Sequence, residues 1–463
     1  MSQSTISKHD SSSLAEENEP STSNVAEAQM GDEPRQNGIV HDALSPTKPV
    51  IRTVSPERTP CCCCISRLRS QRSRSKTTPP ASTTNDKEII RLLMVGRGDV
   101  GKSTVIKQLQ NLCLEYPDKY IMYDETWTHP RSTFTPEERS REKQQVIRNI
   151  LHCIGTLLNK VDEFALQYDS QENKEMAQFV LEQMGDVDEV LRSKHVSITP
   201  ELAQTISTLW NDKGVQRAWD RRREYIIADH ATEYFLPQDK LQQIADPAYI
   251  PTTDDIIRAR NPTRDTKDYN FEIEGTKFSF RDMGGQPVEL SRFPVVVADW
   301  LNECEDSARR YILFVASLAD YNQVRPNGPP RYTQLVESIR LMQILMNIEN
   351  LRTTGFILFL NKRDILANKL REFNDFYDHF PSARPQQQHR GGSKRTPQAP
   401  CPEDAERIIG SSFHSAAQET LRSDRPLYMH FTCATDKAQM DGIIGAVRVD
   451  ILFKYMQTGI PFP

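Results

Sequence analysis

No stretch of about 18 apolar residues occurs in this 463-residue chain, which excludes an ordinary membrane-spanning helix. The first 30 residues are rich in Ser, Glu and Asn and lack an apolar h-region, so no secretory signal is expected. There is no basic excess. Lys+Arg total 58 against 63 Asp+Glu, for a net charge of −5 and a pI near 6.1, which argues against a bulk nucleic-acid binder. Apolar content is low, at 37% with a mean hydropathy of −0.61, so part of the chain is expected to be disordered. Nine cysteines without a secretory signal imply a reducing compartment rather than a disulfide framework.

That disorder is expected over residues 1–87, which are polar and rich in Pro, Ser and Thr. Residues 1–60 carry nine acids and five bases, while 65–76 carry five bases and no acid. Order begins with the apolar run IIRLLMV (89–95), which reads as a central strand of a parallel sheet. Residues 113–251 read as an all-helical unit. Thr135-Pro136-Glu137-Glu138 is a helix start, and Ile147, Ile150, Leu151, Ile154, Leu157, Leu158 and Val161 follow on one helical face. Thr199-Pro200-Glu201 starts another helix. Beyond 251, YNFEI and KFSFRD flank Glu274-Gly275 as a hairpin. The apolar runs YILFVASL, GFILFLN and LYMHFTCA, spaced by helical lengths, give the βα pattern of a parallel sheet. Ile443, Val447, Ile451 and Tyr455 mark an amphipathic last helix. Residues 381–402 hold four bases and no acid and read as a flexible insert.

The chemistry begins at residues 96–103. Gly96, Arg97, Gly98, Asp99, Val100, Gly101, Lys102 and Ser103 fit G-x-x-x-x-G-K-[ST], between a strand and a helix that continues through Thr104. Such a loop wraps phosphates in backbone N–H groups. Lys102 reaches the β- and γ-oxygens, and the Ser103 hydroxyl ligates Mg²⁺. The bland alternative, an incidental Gly/Lys loop, does not explain the strand before it and the helix after it. Asn361-Lys362-Arg363-Asp364 follows a later strand. A carboxylate such as Asp364 accepts from guanine N1–H and the exocyclic amine together, and adenine offers no such pair. Lys362 can lie on the purine face. Thr432-Cys433-Ala434-Thr435 closes the next strand, placing the Ala434 N–H to read guanine O6, with Cys433 otherwise a small buried hydrophobe. Asp282-Met283-Gly284-Gly285-Gln286 ends another strand. There Asp282 suits a Mg²⁺ shell, the Gly285 N–H can sense a γ-phosphate and Gln286 can orient water.

Together these motifs resemble the heterotrimeric G-protein α subunit rather than a small Ras-like GTPase. Lys102 and Asp282 lie 180 positions apart, as if a helical domain were inserted between them. YIPTTDDIIRAR (249–260) resembles the family's Y-I-P-T-x-x-D-V-L-R-T-R segment, and REYIIAD (223–229) its R-E-Y-x-L-x-D segment. The resemblance implies an α/β fold: a Ras-like P-loop GTPase domain over 88–112 and 252–463, with a mostly parallel six-stranded sheet. The inserted helical domain would span 113–251, behind a disordered N-terminal tail. It also implies that Arg260 is an arginine finger supplied in cis and that Thr263 is a second Mg²⁺ hydroxyl. Asp229 would be a lid contact, and Ile257 and Arg258 would lie beside the nucleotide. Solvated-stripe and turn readings of Arg258, Arg260 and Thr263 fit the string less well.

The implied protein is a GTP-hydrolysing switch, using GTP and GDP with Mg²⁺. It would sit downstream of a G-protein-coupled receptor engaged through the C-terminal helix, with a beta-gamma dimer as partner and an unidentified effector. The rivals are a non-hydrolysing, nucleotide-bound scaffold and an alpha-like GTPase working without the dimer. Departures from the family bear on these expectations. The loop reads GRGDVGKS for GAGESGKS, so Asp99 is one methylene shorter than the family's Glu. Arg264 and Asp265 alter switch I. Pro287 removes a backbone donor from switch II. No amphipathic helix precedes the first strand. The chain opens Met-Ser, without the Gly required for myristoylation. Cys61, Cys62, Cys63 and Cys64 beside five bases read as a palmitoylation cluster, which implies the cytoplasmic face of the plasma membrane. Contiguous cysteines make a poor metal cage.

Overall fold

The computed structural model describes residues 89–458 apart from 191–195, 264, 287–292, 304–308, 325–331, 386–398 and 421–426. The expected tail, the cysteine run at 61–64, the middle of the 381–402 insert, Arg264 and Pro287 lie outside these residues.

The sheet has seven strands: β1 (Ile90–Val95), β2 (Tyr120–Tyr123), β3 (Lys267–Ile273), β4 (Thr276–Asp282), β5 (Arg310–Ser317), β6 (Gly355–Asn361) and β7 (Leu427–Phe431). Their order is β2-β3-β4-β1-β5-β6-β7. β4, β1, β5, β6 and β7 run parallel, and β3 pairs antiparallel with both β2 and β4. β3 and β4 form the expected hairpin, with Glu274 and Gly275 at φ 48° and 77° in its turn.

One strand exceeds the six expected. β2 lies inside the segment read as all-helical, because four residues are too short for alternation to stand out. Its pattern is nonetheless a strand's: Tyr120 and Met122 are buried, and Ile121 and Tyr123 are half-exposed. Its backbone is satisfied by β3 across the register Tyr120 to Ile273.

The helices are α1 (Lys102–Glu115), α2 (Pro136–Glu163), α3 (Gln171–Met184), α4 (Val187–Val190), α5 (Pro200–Trp210), α6 (Lys213–Asp220), α7 (Asp229–Phe235), α8 (Gln238–Ala245), α9 (Thr253–Arg258), α10 (Phe293–Glu303), α11 (Gln334–Met346), α12 (Arg363–Glu372), α13 (Phe376–His379), α14 (Pro402–Gln418) and α15 (Lys437–Thr458).

Period-two alternation divides the sheet between two cores. Leu93, Val95, Ile312, Phe314, Phe356 and Leu358 face α10, α11, α12 and α14. Ile90, Leu92, Met94, Leu313, Val315 and Ile357 face α1 and α15. Helices therefore cover both faces, which is why the central strands are continuously apolar. On α15 the buried stripe runs Met440, Ile444, Val447 and Ile451, so Ile444 rather than Ile443 centres it.

A third core belongs to the helical lobe. The seven apolar residues read on one face of α2 are all buried there. Its start is a closed capping box: Thr135 Oγ1 accepts from the Glu138 N–H, and Glu138 returns an acceptor to the Thr135 N–H at 3.1 Å. The lobe joins the sheet domain through 124–135 and through α9, so the nucleotide motifs lie along the seam between them.

Candidate functional site

The cleft at this seam is lined by the phosphate loop, Arg260 to Thr263, Gly285-Gln286, Asn361-Lys362, Asp364, Ile365 and Ala434-Thr435. His230 and Lys107 complete it. β1 ends directly at the phosphate loop, and α1 begins inside it, with the N-terminus of the helix turned to the cleft. Gly101 sits at φ 102°, and a side chain there would collide with the Asn361 amide. A side chain at Gly98 would collide with Gln286, so the residue expected to orient water packs against the phosphate loop.

Lys102 is buried, its Nζ donating to the carbonyls of Gly96 at 2.9 Å and Arg97 at 2.8 Å. Burial pulls its pKa down to about 8, against the pull of Asp282 and Asp99. Ser103, Thr263 and Asp282 come together from α1, the 260–263 loop and β4. Ser103 Oγ lies 2.6 Å from Thr263 Oγ1 and donates to Asp282 Oδ2 at 2.8 Å. Thr263 Oγ1 also reaches Asp282 Oδ2, at 3.4 Å.

Burial raises the Asp282 carboxyl above its ordinary range, and Oδ1 is buried without a hydrogen-bond partner among the described residues. Two hydroxyls backed by a carboxylate with an unused oxygen form a hard-oxygen donor set that fits Mg²⁺ shared with phosphates. Among the described residues, no group of three or more His, Cys, Asp and Glu could hold a metal by itself.

Asp99, at φ 65°, stands between two cations: Arg260 Nε at 3.5 Å and Lys362 Nζ at 3.5 Å. Burial pushes its carboxyl up, but Lys362 and Arg260 outweigh this and hold it at about 2. At the base end, Asn361 is structural. Its Oδ1 accepts from the Ala434 N–H at 3.0 Å and the Thr432 hydroxyl at 3.1 Å, and its Nδ2 donates to the Val100 carbonyl at 2.9 Å. The Ala434 N–H expected on guanine O6 is thus engaged with Asn361. The Cys433 N–H meets Gln439 Oε1 at 2.5 Å, and burial raises the Cys433 thiol.

Several expected site residues point elsewhere. The Arg97 guanidinium pairs with Glu337 and donates to the Gln334 carbonyl at 3.2 Å. Ile257 is buried outside the cleft lining, and Arg258 lies 4.7 Å from the centre of the Tyr234 ring. Asp229 pairs with Lys369 at 3.2 Å and lines an adjoining cleft with Asp320.

Sequence reasoning missed the residues that hold Arg260 in place. Gln145 and Asn149, both on α2, donate to the Arg260 carbonyl at 2.6 Å and 2.9 Å, and Asn149 Oδ1 accepts its N–H at 2.5 Å. Their signal was two buried polar positions four apart beside an apolar stripe. Lys107 was missed too; it donates to the carbonyls of Ile256 at 2.9 Å and Ala259 at 3.1 Å, closing the C-terminal end of α9.

A phosphate-type loop between β1 and α1, two hydroxyls backed by the Asp282 carboxylate, the N-K-x-D turn after β6 and a helical lobe beside them define a Ras-like domain with a helical insert. The chain belongs to the G-protein alpha subunit family, whose family model matches residues 69–451. It is 29% identical over 378 residues to the guanine nucleotide-binding protein subunit alpha-15 of Oryctolagus cuniculus, covering 79% of this chain and 87% of that protein.

Proposed function

We propose that this chain is a signal-transducing α subunit that binds and hydrolyses GTP with Mg²⁺ and is set to its active state by a G-protein-coupled receptor. The observation that carries this reading is the convergence of Ser103, Thr263 and Asp282 beside Lys102, with Gln286 packed on the same loop. A scaffold that holds nucleotide without hydrolysing it needs neither the second hydroxyl nor a positioned amide.

Ser103 and Thr263 would hold the ion, with Asp282 behind them. When bound, Mg²⁺ supplies charge neutralisation at the phosphate oxygens, a role general to GTPases of this family rather than particular to this structure. Lys102 and Arg260 bring fixed positive charge to the oxygens on which charge develops, while Gln286 aligns the attacking water by its amide. Asn149 and Gln145 keep the Arg260 main chain fixed, so the guanidinium swings from a defined pivot. Asp364 supplies guanine specificity by accepting two base N–H groups.

The reading extends to the cell. The C-terminal helix α15 faces the receptor, a beta-gamma dimer is the GDP-state partner, and the Cys61 to Cys64 run with its basic neighbour anchors the chain by thioacylation at the cytoplasmic face of the plasma membrane. Single-turnover phosphate release from GTP tests the core of it. Hydrolysis should require Mg²⁺ and fall at least about tenfold in Gln286→Leu with GTP binding retained. Release equal in both proteins, at the uncatalysed background, would support the scaffold instead.

A further inference from the structure

The phosphate loop is held from outside at both ends. In its second half, the Val100 carbonyl accepts from Asn361 at 2.9 Å. In its first half, the Arg97 guanidinium forms an ion pair with Glu337 and donates to the Gln334 carbonyl at 3.2 Å. Both partners lie in the first turn of α11. That helix is a firm support: Thr333 caps its start, and Leu335, Met342, Leu345 and Met346 are buried against the sheet. Arg97 and Glu337 are mostly buried, so their pairing is screened less than a surface bridge. Arg97 stands where the family's loop has Ala, whose methyl group can make neither contact.

The end of β4 rests on this half of the loop. A side chain on Gly285 would start 2.4 Å from the Arg97 carbonyl, so the two backbones are in close contact. A side chain on Gly98 would start 2.5 Å from the Gln286 amide nitrogen. The Arg97-Gly98 peptide is therefore the seat of Gly285 and Gln286, and the Arg97 side chain ties that seat to α11. Arg97, Gly285, Gln286 and Glu337 also line one cleft, beside the phosphate site.

Resting on the GTP-hydrolysing reading, we propose that Arg97 is a positioning residue for hydrolysis. By pinning the first half of the phosphate loop to α11, it holds the surface on which Gln286 aligns water. It acts through Gln286 rather than by its charge, which Glu337 offsets. Small displacements matter here, since misplacing a reacting group by about 1 Å costs on the order of a hundredfold in rate.

The test uses the full chain. Single-turnover hydrolysis of preloaded GTP, started with Mg²⁺, reads the chemical step. Binding of a fluorescent non-hydrolysable GTP analogue reads affinity. Arg97→Met keeps the aliphatic stem and removes both contacts. It should hydrolyse about five- to tenfold more slowly, with affinity within about twofold of wild type. Arg97→Lys can still meet Glu337 and should recover part of the rate. In Gln286→Leu, whose residual rate rests on Lys102 and Arg260, adding Arg97→Met should cost less than about twofold more.

An unchanged rate in Arg97→Met overturns the proposal. So does a fall in affinity as large as the fall in rate, which would make Arg97 a support for loop shape alone. A full further loss in the Gln286→Leu background also overturns it, because the arginine would then act on the phosphates directly. If Arg97→Met does not fold, Arg97→Lys and Glu337→Gln each weaken the contact and should slow hydrolysis at unchanged affinity; no slowing in either sinks the proposal. Wild type that binds GTP without hydrolysing it overturns the hydrolytic reading together with the proposal. Hydrolysing wild type with unaffected variants overturns the proposal alone.

Discussion

The Tyr120 hydroxyl, on the edge strand β2, donates to the Asp441 carboxylate near the start of α15 at 2.6 Å. Lys119 reaches the same oxygen at 2.7 Å. About two turns further on, Arg448 holds the Glu274 carboxylate at 2.9 Å and the Glu274 carbonyl at 3.1 Å. α15 follows directly on the loop 432–435, and it carries Gly442 and Gly445 with open space around both. Each interior glycine weakens a helix by about 1 kcal/mol relative to alanine. The first turns of α15 are thus held by side chains from the sheet edge more than by their own propensity.

Tyr120→Phe should therefore lower stability by about 1 kcal/mol and speed GDP release a few-fold, whereas Gly442→Ala should raise stability by a similar amount. Thermal unfolding and release of a fluorescent GDP read both. Burial pushes the Asp441 carboxyl up, but Lys119 and Tyr120 outweigh it and hold it below its ordinary value. A depressed carboxyl stabilises the fold above its unfolded value near pH 4, and that contribution fades as pH falls further. The gap between wild type and Asp441→Asn should accordingly narrow below about pH 4.

The same contact shows what was legible from sequence. The phosphate loop, the strands that carry it and the apolar face of α2 were readable because each rests on a repeat or a fixed spacing. β2 was not, because its identity comes from pairing with β3 and from Asp441, which lies 321 residues away. The Gln145 and Asn149 clasp on Arg260 escaped for the same reason: an amide in a helix does not announce which carbonyl it will meet. Arg97 and Arg258 show the converse. Their places in the motifs were legible, but their side chains meet Glu337 and Tyr234.

Asp99 holds Arg260 and Lys362 both at 3.5 Å, longer than a good charge-assisted bond. One added methylene brings the carboxylate closer, so Asp99→Glu should slow GDP release several-fold. The left-handed backbone at φ 65° tolerates Asp better than Glu, and this should subtract a few tenths of a kcal/mol from stability. Unchanged release would show that the clasp does not gate the nucleotide. With its carboxyl held at about 2, Asp99 stabilises the fold above roughly pH 4 and loses that role towards pH 2. The acid-unfolding curve of Asp99→Asn should be correspondingly flatter across that window.

Asn361 joins the 432–435 loop to the phosphate loop with three hydrogen bonds from one buried amide. Asn361→Ala loses all three and leaves the Val100 carbonyl and the Ala434 N–H without those partners, at a cost of about 3 kcal/mol. Thermal unfolding should show a drop of several degrees. Nucleotide affinity should fall even though Asp364 is intact. A variant as stable as wild type would mean that water replaces the amide.

The two lobes meet at Lys369, almost wholly buried, whose Nζ lies 3.2 Å from Asp229 of the helical lobe and 3.1 Å from the Ala319 carbonyl. Gln323 adds a bond to the Tyr225 carbonyl at 2.5 Å, on the same seam. A buried ion pair contributes little net, but removing one partner strands the other, at about 3–5 kcal/mol. Lys369→Met should therefore destabilise strongly and release GDP faster, because Asp229 is left charged beside apolar atoms. The double variant Lys369→Met, Asp229→Asn should recover most of the stability, since no uncompensated charge remains. Its GDP release separates two roles for the pair. Release that stays fast would make the ion pair itself the latch between the lobes. Release that returns to the wild-type rate would mean that the seam is held by Gln323 and the packing around it, with the charges merely tolerated there.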